Sequence, residues 1–111
     1  MAREATNLLR QGKFGDELAR YYSDDIVSIE PGDPPTETCG RAAVAAKVQA
    51  WFDEYEVHNV TAMEPLIHGD RIVIVLDINM TARADWQAVS FQEAAMYQVR
   101  DGQIIEERFF F

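Results

Sequence analysis

The sequence predicts an α+β fold in which early helices pack on one face of a curved antiparallel sheet. Up to Glu54, apolar residues recur largely at three- and four-residue intervals, whereas from Glu56 onwards they alternate with a period of two. Asp101-Gly102 lies between two β-rich runs, which is the strongest local signal for a hairpin. Helices followed by consecutive strands are typical of α+β domains, and 111 residues fit one domain spanning 1–111.

Three helices are predicted in the first half of the chain. The first covers 2–10, and Asp16 can cap a second that ends at Tyr22. The stretch Ser23-Asp24-Asp25 is expected to break this pair of helices before a brief strand at 26–30. The clearest helix covers 40–54, with Thr38 as a plausible cap and Lys47 on its polar side.

The second half is predicted to form four strands that pair in order as an antiparallel meander. Their expected bounds are 56–68, 71–83, 88–100 and 103–111, with turns at 68–70, 84–87 and 101–102. In the second of these strands Val73 and Val75 make the outer face apolar as well as the inner one, and Phe110 does the same in the last strand. An apolar outer face favours a homodimer through that face, and the alternative is that a terminal phenylalanine is merely exposed.

Composition excludes several classes of partner. The formal net charge of −9 disfavours nucleic acid and anionic membranes. No apolar run approaches the roughly 20 residues that cross a bilayer, and the N-terminus lacks a signal-peptide core, so a cytoplasmic location is expected. Cys39 is the only cysteine, which leaves no intrachain disulfide or cysteine-based zinc site. No nucleotide or phosphate-binding motif occurs, and no cofactor is expected.

The strand before the Asp-Gly turn places ionisable groups on an apolar face. Phe91, Glu93, Ala95, Tyr97 and Val99 share that face because alternate residues of a strand point the same way. One carboxylate and one phenol among apolar neighbours are typical of a strand that lines a small-molecule pocket. The alternatives are a salt bridge from Glu93 to Arg83 or Arg108, and core packing for Tyr97.

Four segments together resemble the SnoaL-like proteins, a branch of the superfamily named after nuclear transport factor 2 that also contains ketosteroid isomerase. They are YYSDDIVSIEP, CGRAAVAAKVQAWF, GDRIVIV and YQVRDGQIIEERFF, and they span nearly the whole chain in the expected order. The resemblance implies a cone-shaped α+β barrel with a deep pocket between sheet and helices, usually in a homodimer made through the outer sheet face.

The resemblance carries catalytic residues over only in part. Glu30, just before Pro31, matches the carboxylate that moves a proton in isomerase-like members, and it could be a general base because an apolar pocket disfavours the charged form. The places of the protonated acid and the tyrosine in those members fall at Ala95 and near Thr6. The oxyanion-binding pair is therefore missing, and Glu93 or Tyr97 are the candidates to replace it.

Other residues are weaker candidates. His58 could act as an acid or base, although a water-exposed place at the sheet rim is the more common role of such a histidine. Its separation from His68 argues against a metal site. A hydrophobic floor or mouth for a ligand could come from Trp51, Phe52, Met80 and Trp86, which would otherwise fill the core.

Three functional hypotheses follow from the sequence. The first is a small cofactor-free enzyme that isomerises, cyclises or hydrates an apolar carbonyl compound by carboxylate acid/base chemistry, with Glu30 and either Glu93 or His58. The second is a non-catalytic dimeric module that binds a small apolar ligand or a protein through the same pocket. The third is a dimerisation scaffold, which predicts an interior filled by the protein's own side chains.

Overall fold

The computed structural model describes residues 1–111 and has the α+β fold that the sequence predicts. Three helices come in the first half of the chain: α1 at Ala2–Arg10, α2 at Phe14–Tyr21 and α3 at Arg41–Glu54. The seven strands are β1 at Tyr22–Glu30, β2 at Thr36–Cys39, β3 at Tyr55–Ala62, β4 at Leu66–His68, β5 at Arg71–Ala82, β6 at Ala88–Arg100 and β7 at Gln103–Phe110.

The strands form one mixed sheet in the order β2-β1-β7-β6-β5-β3, with β4 also paired to β5. The predicted meander is present in β5, β6 and β7, which pair antiparallel in sequence order. The pairing of β1 with β7 differs from these pairs, because the two strands run parallel. This pair brings the end of β1, with Glu30, next to the end of the chain.

The closing hairpin has the predicted turn. Asp101 and Gly102 have φ values of 53° and 76°, and two positive φ angles in a row are what a type I′ turn requires. Arg100 pairs with Gln103 across the turn. The backbone twist of this turn matches the right-handed twist of β6 and β7, so the two strands stay paired beyond the turn.

Several predicted boundaries are wrong in the first half. Helix α2 begins at Phe14, so Asp16 lies in its first turn and is not the cap. Ser23, Asp24 and Asp25 belong to β1, where they lie in an irregularity of its pairing with β7 between Tyr22 and Val27. Thr38 belongs to β2, which the sequence did not reveal, and Gly40 with its φ of 92° precedes α3. The predicted strand 56–68 is divided into β3 and β4.

The core lies between the helices and the concave face of the sheet. Strand β5 supplies five consecutive inward residues that are all buried: Ile72, Ile74, Leu76, Ile78 and Met80. Helix α1 packs against β3 with Ala5 and Leu9 buried. No helix of the structure is long and apolar enough to span a bilayer.

The outer face of the sheet carries an apolar strip. Val75 pairs with Ala94, and Ala94 pairs with Phe110, so the three side chains lie in one row. The neighbouring row contains Val73 opposite Met96. Phe110 is 51% exposed, whereas Val75 and Ala94 are partly buried.

Candidate functional site

A cavity of about 380 Å³ lies where α2, α3 and the ends of β1, β6 and β7 meet. Most of its wall is apolar, and the ionisable groups that reach it are three glutamates and one lysine. The lining residues are Phe14, Glu30, Lys47, Val48, Ala50, Trp51, Glu54, Phe91, Glu93, Phe109 and Phe111.

Aromatic rings pack in two groups around this cavity. On the helix side, the ring centroid of Trp51 lies 5.6 Å from that of Phe14, in a tilted arrangement. On the strand side, Phe91 and Phe111 meet edge to face at 5.2 Å. Both spacings lie in the range that aromatic pairs prefer, so these contacts stabilise two walls of the cavity.

Glu30 and Lys47 form an ion pair inside the cavity. The two groups come from the end of β1 and from the middle of α3, and Lys47 Nζ lies 2.8 Å from Glu30 Oε1. Their side chains are 36% and 29% exposed, so the pair is only partly hydrated. Lys47 Nζ also donates to Ser28 Oγ at 2.6 Å and lies 5.5 Å from the centre of the Phe109 ring.

Glu93 is the carboxyl group of the cavity whose protonation is most changed. Its pKa is raised to about 7, first by burial and then by the charges of Glu107 and Glu30, while the charge of Lys47 opposes the rise. Glu93 forms no ion pair with Arg83 or Arg108, and Arg83 donates instead to the backbone carbonyl of Phe52. Near neutral pH the Glu93 carboxyl can therefore donate a hydrogen bond as well as accept one.

A buried polar cluster lies directly below the cavity. Glu107 on β7 is 2% exposed and accepts hydrogen bonds from Ser28 Oγ, at 2.7 Å, and from the Tyr22 hydroxyl. Burial raises the pKa of Glu107, whereas the two hydrogen bonds and the charge of Lys47 hold the rise back. Burial also raises the pKa of Tyr97, which belongs to this cluster and not to the cavity wall.

Glu17 is the unusual member of the polar interior. It is 2% exposed, and its Oε1 has no hydrogen-bond partner. Burial, followed by the charge of Glu107, raises its pKa well above the ordinary value. The protonated form of Glu17 is therefore favoured in the folded protein, since an unpaired buried charge is costly.

The structure brings together three of the predicted site residues. Glu30, Glu93 and Trp51 all line the cavity, although they come from β1, β6 and α3. Phe52 lies behind the wall, where its ring packs against Trp51 at 5.1 Å. Met80 is 5% exposed and belongs to the aliphatic core, outside the cavity lining.

His58 and Trp86 lie away from this cavity. His58 is exposed, and its Nε2 is 2.7 Å from Thr81 Oγ1 across the β3–β5 pair, in a separate polar cleft beside Arg10 and Arg83. Trp86 is 69% exposed in the connection before β6. His58 thus has the water-exposed place at the sheet rim that was the alternative to an acid or base role. The structure contains no group of three or more His, Cys, Asp or Glu side chains placed to hold a metal ion.

Sequence reasoning missed Lys47, the buried cluster and much of the aromatic wall. Lys47 was placed on the solvated side of its helix, because helical periodicity alone does not show that β1 approaches that side. No local pattern separates Glu107 from the other carboxylates of the chain. Phe14 is the first residue of α2, and its contact with Trp51 depends on how α2 packs on α3.

A family model described as a SnoaL-like domain matches residues 1–111. The chain belongs to the SnoaL-like family. A solved structure from Mesorhizobium loti, provisionally named a SnoaL-like polyketide cyclase with carbohydrate phosphatase in brackets, is 32% identical, with 99% of this chain and 95% of that chain covered and a TM-score of 0.90. Among curated proteins, none matches this chain.

More distant solved structures share the fold of this SnoaL-like protein. A Burkholderia pseudomallei protein of unknown function, described as NTF2-like, is 17% identical over 98% of this chain and 86% of that chain, with a TM-score of 0.79. A Catenulispora acidiphila protein with a ketosteroid isomerase-like fold, in complex with trimethylamine, is 14% identical over 99% and 84%, also at 0.79. The fold expected from the resemblance is therefore confirmed.

The SnoaL-like protein has no ionisable group at the two places that the resemblance singled out. Ala95 is fully buried in the middle of β6, and Thr6 uses its hydroxyl to donate to the Ala2 carbonyl at 2.7 Å within α1. Glu93 lies two residues before Ala95 on the same face and reaches the cavity. An acid is thus available in the pocket, but from a different position.

Proposed function

We propose that this SnoaL-like protein is a cofactor-free acid/base catalyst that moves a proton on a small apolar carbonyl compound. Glu30 is the general base and Glu93 the general acid. One observation carries the proposal: Glu93, with a pKa of about 7, shares an apolar cavity with Glu30, whose carboxyl group forms an ion pair with Lys47. Two carboxyl groups in such different environments can act as acid and base in one step.

The proposed step is balanced in atoms and charge. Glu30 removes a proton from the carbon beside the carbonyl group, and the electrons of that C–H bond pass to the carbonyl oxygen. Glu93 donates a hydrogen bond, and then its proton, to that oxygen. Isomerisation and aldol-type cyclisation can both begin in this way, and the provisional name of the Mesorhizobium loti structure supports a cyclisation as the specific outcome.

The experiment is hydrogen exchange on a model ketone. The protein is incubated in D2O with 2-tetralone, and loss of the α-proton NMR signals gives the rate of exchange. Glu30→Gln is expected to lower the protein-dependent rate about 100-fold or more, because a positioned general base typically contributes that much. His58→Gln is the matched control, since His58 lies outside the cavity. An undiminished rate in Glu30→Gln would overturn the assignment.

The pH dependence tests the role of Glu93 separately. A general acid works in its protonated form, so the exchange rate should fall as pH rises through about 7, the pKa of Glu93. Glu93→Gln keeps a hydrogen-bond donor but loses the titration, so this descending limb should disappear. A limb that persists in Glu93→Gln would assign the acid role to another group.

A non-catalytic ligand-binding module is the second candidate function. The buried Ala95 favours it, because the acid of isomerase-like members is absent there. This candidate predicts that 2-tetralone binds without exchange and that Glu30→Gln changes only its affinity. A scaffold with a filled interior is not favoured, since the cavity measures about 380 Å³.

We also propose that the protein is a homodimer through the outer sheet face and works in the cytoplasm. The row of Val75, Ala94 and Phe110 supports the dimer, because monomers seldom expose contiguous apolar rows. Sedimentation equilibrium of the parent protein should give twice the mass of one chain. The Phe110→Asp variant should give the mass of a single chain. A monomeric parent protein would contradict the dimer without affecting the acid/base proposal.

A further inference from the structure

We propose that Lys47 is a third catalytic residue, which binds the ligand's carbonyl oxygen as it becomes an enolate, and that Ser28 and Glu107 position it. The inference rests on the proposed function and deepens it, because it names the group that replaces the missing oxyanion-binding pair. It also narrows the ligand to a ketone or a similar compound that passes through an enolate.

The hydrogen-bond inventory of Lys47 leaves one donor unused. A protonated lysine has three N–H groups. One faces Glu30 Oε1 at 2.8 Å and a second is donated to Ser28 Oγ at 2.6 Å. The protein offers no acceptor for the third, and Nζ lies on the cavity wall over the ring of Phe109. A ligand oxygen in the cavity can therefore take that third hydrogen bond.

Ser28 and Glu107 set the position of the ammonium group. Glu107 accepts on both of its oxygens, from Ser28 and from Tyr22. Ser28 has a single O–H, and because it is donated to Glu107 its oxygen is left to accept from Lys47. The hydroxyl thus has a fixed direction, and the buried carboxylate attracts Lys47 from below the cavity floor.

The charge balance of the step favours Lys47 as the oxyanion partner. Before the step, Lys47 neutralises Glu30, which belongs to β1. As Glu30 takes the proton it becomes neutral, while the ligand oxygen gains the negative charge. Lys47 contacts both places, so its favourable interaction passes from Glu30 to the oxygen without a change in total charge. A preorganised donor of this kind is worth most where charge develops.

The other charged groups around Lys47 make this role selective for an enolate. Glu54 on α3, Glu93 on β6 and Glu107 on β7 all lie near the ammonium group or line the same cavity. A ligand that carries a permanent negative charge would meet Glu30 and Glu54 as well as Lys47. An oxygen that becomes negative only when Glu30 is protonated avoids the repulsion from Glu30.

The test measures preference for an oxyanion after the two proposed catalytic carboxyls, Glu30 and Glu93, are replaced by neutral amides. The parent is Glu30→Gln/Glu93→Gln, and 4-nitrophenolate is compared with the uncharged, similarly shaped nitrobenzene by titration calorimetry. The ratio of their affinities reports the oxyanion contact alone, because a structural change would affect both ligands. Adding Lys47→Met should lower the ratio about tenfold or more, as loss of a charge-assisted hydrogen bond does.

Two further variants make the result decisive. Lys47→Arg keeps the charge and should retain the ratio within about threefold, while Ser28→Ala should lower it about threefold or more because Lys47 loses its positioning acceptor. An unchanged ratio in Lys47→Met overturns the proposal. If that variant does not fold, as judged by circular dichroism, an unchanged ratio in Ser28→Ala overturns it, and a lowered one together with retention in Lys47→Arg supports it.

Failure of this inference is distinguishable from failure of the proposed function. Exchange on 2-tetralone depends on Glu30, whereas the oxyanion ratio is measured with Glu30 already replaced. Loss of exchange in Glu30→Gln with an unchanged ratio in Lys47→Met would retain the acid/base proposal and remove Lys47 from it. The opposite pair of results would retain Lys47 as an anion-binding group in a protein that is not a catalyst.

Discussion

The two halves of the concave sheet face contrast sharply, although they belong to one continuous surface. In the β5 half, every inward residue from Ile72 to Met80 is apolar and buried. In the half formed by β1, β7 and β6, inward residues include Ser28, Glu107 and Glu93. In the second half, ionisable groups replace aliphatic side chains. This replacement lowers stability unless those groups have hydrogen-bond or ionic partners.

Strand pairing sets the boundary between the halves. Ile72 pairs with Tyr97, and Tyr97 in turn pairs with Glu107, so one row crosses from aliphatic to acidic in three residues. Leu76 pairs with Glu93 in the same way. The aliphatic half therefore supplies stability at the edge of the polar half, and the two can be perturbed separately.

The largest expected effect comes from breaking the aliphatic half. Ile74 is 1% exposed, and Ile74→Ala should lower the free energy of unfolding by about 2–5 kcal/mol, since it removes buried methyl groups and leaves a cavity. Urea denaturation measures the loss. Ile67→Ala, at an exposed position of β4, is the matched control and should cost no more than about 0.5 kcal/mol. Equal losses would contradict the assignment of Ile74 to the buried core.

A smaller effect of opposite sign is expected in the polar half. Burial raises the pKa of Glu17 above the ordinary 4.5, so the folded protein keeps this proton to higher pH than the unfolded chain does. The stability it contributes is complete below pH 4.5 and is lost as pH rises through the folded pKa. Glu17→Gln should therefore stabilise the protein on the order of 1–3 kcal/mol at pH 8, and less as pH falls.

Thermal unfolding between pH 5 and pH 8 checks this prediction. Asp16→Asn is the control, because Asp16 is exposed in the first turn of the same helix. Its effect should be small and independent of pH over that range. If Glu17→Gln destabilised the protein at pH 8, the carboxylate would have an ionic partner that the structure does not show.

The smallest effect concerns the two tryptophans. Trp86→Phe should change the free energy of unfolding by no more than about 0.5 kcal/mol, because Trp86 is exposed. In this variant Trp51 is the remaining tryptophan, and nitrobenzene bound in the cavity should quench its fluorescence. Trp51→Phe retains Trp86 and should show only the quenching of free tryptophan in water. Saturable quenching of Trp86 would place a ligand site outside the cavity described above.

The predicted part of the site depends on alternation within single strands. Glu93 and Tyr97 could be assigned to one face because that face follows from a period of two. Their different roles could not be predicted from the sequence. Tyr97 lies where β6 pairs with β7, whereas Glu93 lies just beyond the last pair of residues. Lys47 and Glu107 were missed for the same reason, because their partner Ser28 belongs to a strand far from both in sequence.

The change from helices to strands along the chain, the Asp101-Gly102 turn and the apolar face of β5 follow from the sequence alone, because periodicity and turn chemistry are local properties. The tertiary structure decided the parallel pairing of β1 with β7, which no local pattern encodes. That pairing places Ser28 opposite Glu107. Through it, a helix lysine, a buried carboxylate and the cavity acid Glu93 become one interacting group, since electrostatic coupling depends on distance in space and not along the chain.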